Sequence, residues 1–519
     1  MSAGVLVRRA VRGATALRGG RVRRLTPYQV YGVLFWLVMT LAYWRIPLCC
    51  DAGLHAAVVE RLKADLLHPA HPTADLPGAG SPYYGPYAVA QAVLARPAGL
   101  SGWGVVTLAG PVHLLVLLTG IGRFVRVLTP RPWAPVLTLL FMTLLWGTEP
   151  VLWSGSPGLM SLTTGLGYPS TLAIGLTLWA WALTGTRARE DVPAIRYVGP
   201  SGLGGWWGYA GIGTLYGLIL LIHPGTALPA LAGAAAIVAA RQRAWRPPVA
   251  ARWALTAAAS LTVAVIWPYY DALAPAGDTG PDGMHRRLYE AMAGNSWLAL
   301  TGLPALWLRA HRSARDPLAL VFVLECLVVA YGRVSGQDTY AQALWAALLP
   351  LQCALAVQLT APGPWGGARK ALGAVAAVAV CAGFLTVHAG AVLPRSLDPV
   401  GFRQPPRWPT YEWAARHIGP GEVVLTDGNA AAHAIAGYGP NLLAPVRPDP
   451  CLDERERRRR LAEVRAYLSP QSTRAERTAL ARRRHVRWLL LTRWHPLPEE
   501  AVMVAWSRRT GEVLARVGG

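Results

Sequence analysis

A carboxylate stands where a long apolar run gives out. Tyr28 to Leu48 is long enough to cross a bilayer, and Asp51 follows it in 48-LCCDAGLHAAVVERLKADLLHP-69. An acid at such a boundary can take a proton from a hydroxyl as a general base, or merely favour the positive end of the helix that follows. His55 lies one helical turn on and shares its face, while Glu60, Asp65 and His68 read as solvated. Glu149, in 146-WGTEPVLW-153, is a second acid at the end of an apolar run. It serves either as an interfacial cap beside a tryptophan belt or as a second catalytic acid. His223, in 220-LLIHPGT-226, marks a hairpin; it packs and caps, or it hydrogen-bonds a sugar or a phosphate. Arg333, in 330-AYGRVSGQDTY-340, either snorkels to the interface or forks onto phosphate oxygens.

Other chemistries find no footing. The sequence carries no Walker loop, no GxSxG and no HExxH. Its six cysteines form no framework: Cys49 and Cys50 are adjacent, Cys326, Cys353 and Cys381 lie inside apolar runs, and Cys451 stands alone. No spacing such as CxxC points to structural zinc. A net charge of +23 raises nucleic acid as a partner, but the arginines fall in short clusters between apolar runs. That is topology signal plus contact with anionic headgroups, so nucleic acid is not expected as a partner and membrane lipid is.

The elements that must position these residues follow from hydropathy. With 519 residues, 53% hydrophobic and 15% charged, the chain is a polytopic α-helical membrane protein. Residues 1–27, with Arg8, Arg9, Arg12, Arg18, Arg21, Arg23 and Arg24, form a basic cytoplasmic N-terminus ahead of a retained anchor. Residues 28–394 hold about eleven transmembrane helices, near 28–48, 101–122, 134–151, 168–185, 208–240 (two), 252–269, 295–309, 317–332, 341–360 and 371–391. The Arg-dense short loops then land on one side, at Arg123, Arg126, Arg131, Arg187, Arg189, Arg196, Arg241, Arg243, Arg246, Arg309, Arg312, Arg315 and Arg369. The first outer loop, 51–84, starts with an amphipathic helix of the kind that lies along a membrane surface. It ends in the turn 80-GSPYYGPY-87, which brings Tyr83 and Tyr84. Residues 395–519 differ in kind. Strand-like runs at 422–426, 486–492 and 502–506 alternate with helical segments at 410–418 and 452–468, which predicts a small C-terminal α/β domain.

On these residues the chain resembles the GT-C superfamily of membrane glycosyltransferases that use polyprenyl-phosphate sugars, closest to actinobacterial arabinofuranosyl- and mannosyltransferases. The likeness rests on Asp51 after the first span, the loop helix behind it and the Ser81–Tyr84 turn. It extends to the His223–Pro224 hairpin, Arg333 at the end of a late span, and the C-terminal α/β domain. The resemblance implies an inverting transfer from a polyprenyl-phosphate donor to a glycan, lipid or protein acceptor of the cell envelope, at the outer face of the cytoplasmic membrane. Asp51 is then the base, with Glu149 as second acid. His55, Tyr83, Tyr84, His223 and Arg333 line the donor site, and the C-terminal domain is extracytoplasmic. Asp51 is followed by Ala52 where many members carry paired acids, so a divalent metal stays open. Two other classes stay open as well: a transporter or flippase of lipid-linked glycans, for which Glu325 inside a span speaks, and a non-catalytic scaffold.

Overall fold

The computed structural model describes residues 25–76, 80–150, 155–190, 205–273, 284–364, 366–449 and 451–518. The seven N-terminal arginines, Trp153, Ser154, Arg196 and residues 274–283 lie outside the described residues.

Helix α1 (Pro27–Trp44) opens on a capping box, Thr26 with Gln29, and a proline in its first turn; both pre-organise a helix start. It ends at Arg45, whose guanidinium donates to the carbonyls of Gly390 and Ala391 at 3.2 Å, tying the exit of α1 to the last helical segment of the bundle. Helices α2 (Ala52–Ala64), α3 (Pro86–Ala98) and α4 (Gly102–Leu128) follow. Among the described residues five helices are long and apolar enough to cross a membrane: Gly102–Leu128, Pro247–Val265, Pro317–Ser335, Asp338–Leu359 and Gly367–Val392. Two shorter apolar helices are Ala134–Leu144 and Trp206–Ile222.

Other apolar runs are interrupted for local reasons. The run 134–151 leaves the helix after Leu144, ahead of Gly147 and Pro150. The run 295–309 divides into a 3-10 turn, Trp297–Gly302, and a new helix, Leu303–Arg312, which starts with a proline in its first turn. Arginines gather at one end of the bundle and hold helix ends together. Arg131 donates to Val357 at 2.6 Å, Arg369 to Leu359 at 2.5 Å, and Arg241 to Gly185 and Val127 at 2.8 and 3.0 Å. Such bonds satisfy carbonyls that a helix terminus leaves unpaired.

The C-terminal region holds a five-stranded sheet in the order β2-β1-β3-β5-β4. Its strands are β1 (Val423–Thr426), β2 (Asn441–Leu442), β3 (Val486–Leu491), β4 (Ala501–Trp506) and β5 (Val513–Val517). β1 pairs in parallel with β2 and β3, and β5 runs antiparallel to β3 and β4. Separate apolar clusters include Val424, Leu490 and Leu514 in one, Val423, Leu489 and Ala515 in the other. Neighbouring residues of a strand fall to opposite clusters, as the two-residue side-chain period requires. The runs at 422–426, 486–492 and 502–506 correspond to β1, β3 and β4. The helix expected at 410–418 contracts to Glu412–Ala415, and that at 452–468 spans Glu454–Leu468 with Asp453 capping it.

This sheet domain sits directly on α2. Gly53 permits the approach: a Cβ there would lie 2.1 Å from the His433 carbonyl oxygen. Arg61 of α2 forks onto the Gly439 and Pro440 carbonyls at 3.0 and 2.9 Å and reaches Asn441 Oδ1 at 2.5 Å. The loop after α2 extends the sheet: the Leu442 N–H donates to the Thr73 carbonyl at 2.7 Å, and Ala74 bridges Leu442. An amphipathic helix that would otherwise lie open has Ala56, Ala57, Val58, Val59 and Leu62 buried.

Candidate active site

The site begins as a tight turn. The Ala52 N–H donates to the Cys49 carbonyl at 3.1 Å, closing a turn over Cys50 and Asp51. Cys50 has φ 58° and Asp51 has φ −88° and ψ 4°, angles that fit a type II′ turn. The first central position of that turn normally takes glycine, because a Cβ is strained at positive φ. Tyr168 pins the turn by donating its hydroxyl to the Cys49 carbonyl at 2.5 Å. Asp51 then serves as the residue from which α2 starts.

From there the Asp51 carboxylate meets the sheet domain. Its Oδ2 lies 2.7 Å from Arg447 Nη1, and its Oδ1 lies 3.6 Å from His433 Nδ1. Oδ1 is buried and makes no hydrogen bond. Burial alone would raise the Asp51 pKa. The His433 side chain and the charges of Arg447, His55 and His433 outweigh it and hold the group below its usual value. His55 sits edge-on to Tyr83 and to Tyr168, with ring centroids 6.0 and 5.3 Å away. Burial pushes its pKa down to about 4, with Asp51 opposing and Arg447 adding to the drop. Tyr83 is raised above the usual phenol value, chiefly by burial.

The structure therefore brings Asp51, His55 and Tyr83 together. Tyr84 plays a different part: fully buried, it donates its hydroxyl to the Ala70 carbonyl, and its own carbonyl accepts from Trp267 Nε1 at 2.9 Å. His223 pairs with Thr226 Oγ1 at 2.8 Å where the helix Pro224–Arg241 begins, within electrostatic reach of His55. Glu149 is exposed and packs on Gly294, where an added Cβ would lie 2.6 Å from its carboxyl carbon. Arg333 is exposed in the last turn of Pro317–Ser335, near Tyr289. No contact among the described residues joins Glu149 or Arg333 to Asp51.

Sequence reasoning missed His433 and Arg447, both hundreds of positions from Asp51. Arg447 carried a signal: in 445-PVRPDP-450 a cation stands between prolines, which fix the backbone around it. Asp449, from the same segment, is buried and accepts from Ser81 Oγ at 2.6 Å, with His71 Nε2 at 3.5 Å. His433 carried none, since it sits in an alanine run. A cavity of about 580 Å³ is lined by Arg395, Asp398, Phe402, Gln404 and Arg407. The next residue, Trp408, stands edge-on to His433 at 5.9 Å between ring centroids. Among the described residues no group of three or more His, Cys, Asp or Glu could hold a metal ion.

No protein-family model matches the chain, and no curated protein matches its sequence. Solved structures do match in fold. The mycobacterial arabinofuranosyltransferase AftD aligns with a TM-score of 0.55 at 13% identity, covering 95% of this chain and 42% of its own, in its R1389S mutant form. A second AftD structure gives 0.52 at 14% identity, covering 95% and 40%. The oligosaccharyltransferase AglB from Archaeoglobus fulgidus, solved with an inhibitory peptide and a dolichol-phosphate, gives 0.49 at 11% identity, covering 89% and 69%. The chain spans about two fifths of the length of AftD. What it shares with AftD over nearly all of its own length is the fold.

Proposed function

We propose that this chain is an inverting membrane glycosyltransferase, with Asp51 as its base. The observation that carries the reading is the asymmetry of the Asp51 carboxylate: one oxygen bound to Arg447, the other buried and without a hydrogen bond. A base needs a lone pair that can take the acceptor proton, and Oδ1, which faces His433 Nδ1 at 3.6 Å, is the oxygen the guanidinium does not hold. Arg447 holds the carboxylate in one orientation and keeps it ionised.

In the reaction, the acceptor O–H gives its proton to Oδ1. Its oxygen bonds to the anomeric carbon from the face opposite the phosphate, and the bond to polyprenyl phosphate breaks with inversion. The leaving phosphate takes up the electron pair and needs a cation in the vicinity. Arg395 and Arg407, at the cavity beside Trp408, are the cations suited to it. His55 and Tyr83 offer a neutral, aromatic wall for a sugar ring.

We place the sheet domain and this site at the outer face of the cytoplasmic membrane, with the arginine-bonded helix ends inside and the chain crossing about eleven times. The donor is a polyprenyl-phosphate sugar and the acceptor a component of the cell envelope. A translocation reading rests on Glu325, fully buried within a span with neither carboxylate oxygen hydrogen-bonded. Reconstitution with radiolabelled polyprenyl-phosphate sugars separates the two readings. Transfer by the wild-type protein and its loss in Asp51→Asn are expected. Full transfer by Asp51→Asn removes Asp51 from the mechanism, and lipid movement without transfer favours translocation.

A further inference from the structure

Two sulfurs sit immediately before the base, and the proposed reaction uses neither. Cys49 Sγ and Cys50 Sγ are 2.7 Å apart, and both residues are free cysteines. Successive side chains of an extended chain point to opposite sides. Here the left-handed backbone of Cys50, φ 58°, folds the pair onto one side. The strained position is thus filled by a thiol where glycine would be at ease, and its effect is to press one thiol against the next. Residues in such conformations cluster where strain has a use.

We propose that Cys49 and Cys50 are a redox-active vicinal dithiol, whose oxidation to a disulfide reshapes the turn that aims Asp51. The gating half of this rests on the function proposed above; the dithiol half does not. The oxidant is a disulfide-containing molecule. Cys50, the more exposed of the two, forms a mixed disulfide by displacing one sulfur of the oxidant as a thiolate. Cys49 then attacks that mixed disulfide, the Cys49–Cys50 bond forms, and the second sulfur leaves. The two thiol protons pass to the released thiolates, so the pair is oxidised by two electrons and the oxidant reduced by two. Cys49 suits the attacking role because its sulfur lies 2.7 Å from Cys50 Sγ. Adjacent Cα atoms are about 3.8 Å apart, closer than the roughly 4.4–6.8 Å that a relaxed disulfide spans. The ring is therefore strained and readily reduced, as reversible disulfides are. Asp51 is the next residue in the same turn, so closing the ring shifts its carboxylate relative to Arg447.

The test uses the full chain in lipid nanodiscs, equilibrated with oxidised or reduced glutathione and then alkylated. Mass spectrometry of the peptide spanning Cys49 and Cys50 reads the dithiol directly. In oxidised glutathione the expected peptide is unalkylated, two hydrogens lighter, free of glutathione, and restored by reductant. Alkylation of both thiols under oxidation overturns the proposal, as does a separate glutathione on each. Sugar transfer is measured in parallel. Oxidation is expected to slow it roughly a hundredfold, the scale of a small misplacement of a reacting group. Cys50→Gly keeps the left-handed turn without a thiol and is expected to transfer equally in both buffers. Undiminished transfer with the disulfide fully formed overturns the gate. A reversible disulfide with no transfer in either buffer upholds the dithiol and overturns the glycosyltransferase reading instead.

Discussion

Asp51 and Glu149 look alike along the chain, each an acid where an apolar run ends, yet the fold treats them differently. Asp51 meets an arginine and a histidine from the far end of the sequence and keeps one oxygen buried and without a hydrogen bond. Glu149 is exposed and rests on the backbone at Gly294. The difference lies in what covers each carboxylate. Over Asp51 the sheet domain is drawn down by Gly53, Arg61 and the Thr73–Leu442 pairing. A carboxylate at a membrane boundary gains chemistry from the partners brought to it, and its position along the chain does not supply them.

The comparison is sharpest in Asp51→Asn, which keeps the size of the side chain and removes its basicity. Transfer is expected to fall by about 10²–10⁴, the range that general-base catalysis contributes, while the protein still folds and binds donor. Initial rates from proteoliposomes and donor binding to the same preparation read the two effects separately. A loss of donor binding as large as the loss of rate would assign Asp51 to binding instead.

Arg447→Met comes next. It leaves the carboxylate in place without its cation, at a site where both side chains are about one-fifth exposed (22%). The cost is expected to fall between that of a surface pair and that of a fully buried one, on the order of 1–3 kcal/mol. Thermal unfolding of Asp51→Asn, Arg447→Met and the double variant gives the coupling. Strictly additive losses would mean that the 2.7 Å contact contributes nothing.

Acid should separate two titrations within the site. Asp51 is held below its usual value, so its stabilising contribution is complete above the unfolded value of about 3.9. It fades as pH falls through the lower folded value. His55 acts earlier. Unfolded histidine titrates near about 6.5, while in the fold it does so at about 4. Between those values the unfolded state binds more protons, so stability declines as pH drops from about 6.5 to about 4. Unfolding midpoints across that interval should slope in the wild type and slope less steeply in His55→Gln, where His285, also held down to about 4 by burial, still contributes. Equal slopes would take His55 out of the linkage.

How much of this was legible depended on the range over which each feature is encoded. The apolar runs are local, and length and hydropathy gave a helical bundle with membrane-length helices, five of them among the described residues, but not where the runs at 134–151 and 295–309 break; β1, β3 and β4 were readable from their Val- and Leu-rich runs. β2 is two residues long, and β5 mixes Arg516 into its apolar set, so neither shows a strand signal. Asp51, His55 and Tyr83, which the fold brings together, share one loop and so could be grouped along the chain. Arg447 and His433 reach the site only through docking of one domain on another, a contact that no local pattern describes. The prolines around Arg447 mark a rigid backbone but do not say where it points.

Glu149→Gln carries the smallest expected effect and tests the comparison from its other side. The carboxylate is exposed, no ion pair or hydrogen bond of its side chain is found among the described residues, and the amide is nearly its size. Surface changes away from special features usually stay within about 0.5 kcal/mol, and transfer should change by less than about threefold, the rate equivalent of that energy. Its contact with Gly294 is steric, and glutamine fills the same space. The variant is therefore best compared with Asp51→Asn in one preparation, where expression and lipid content are matched. If Glu149→Gln instead abolished transfer while leaving unfolding unchanged, a second acid would be acting on the substrate from the opposite wall. Burial and partners would then no longer mark which boundary carboxylate does the chemistry.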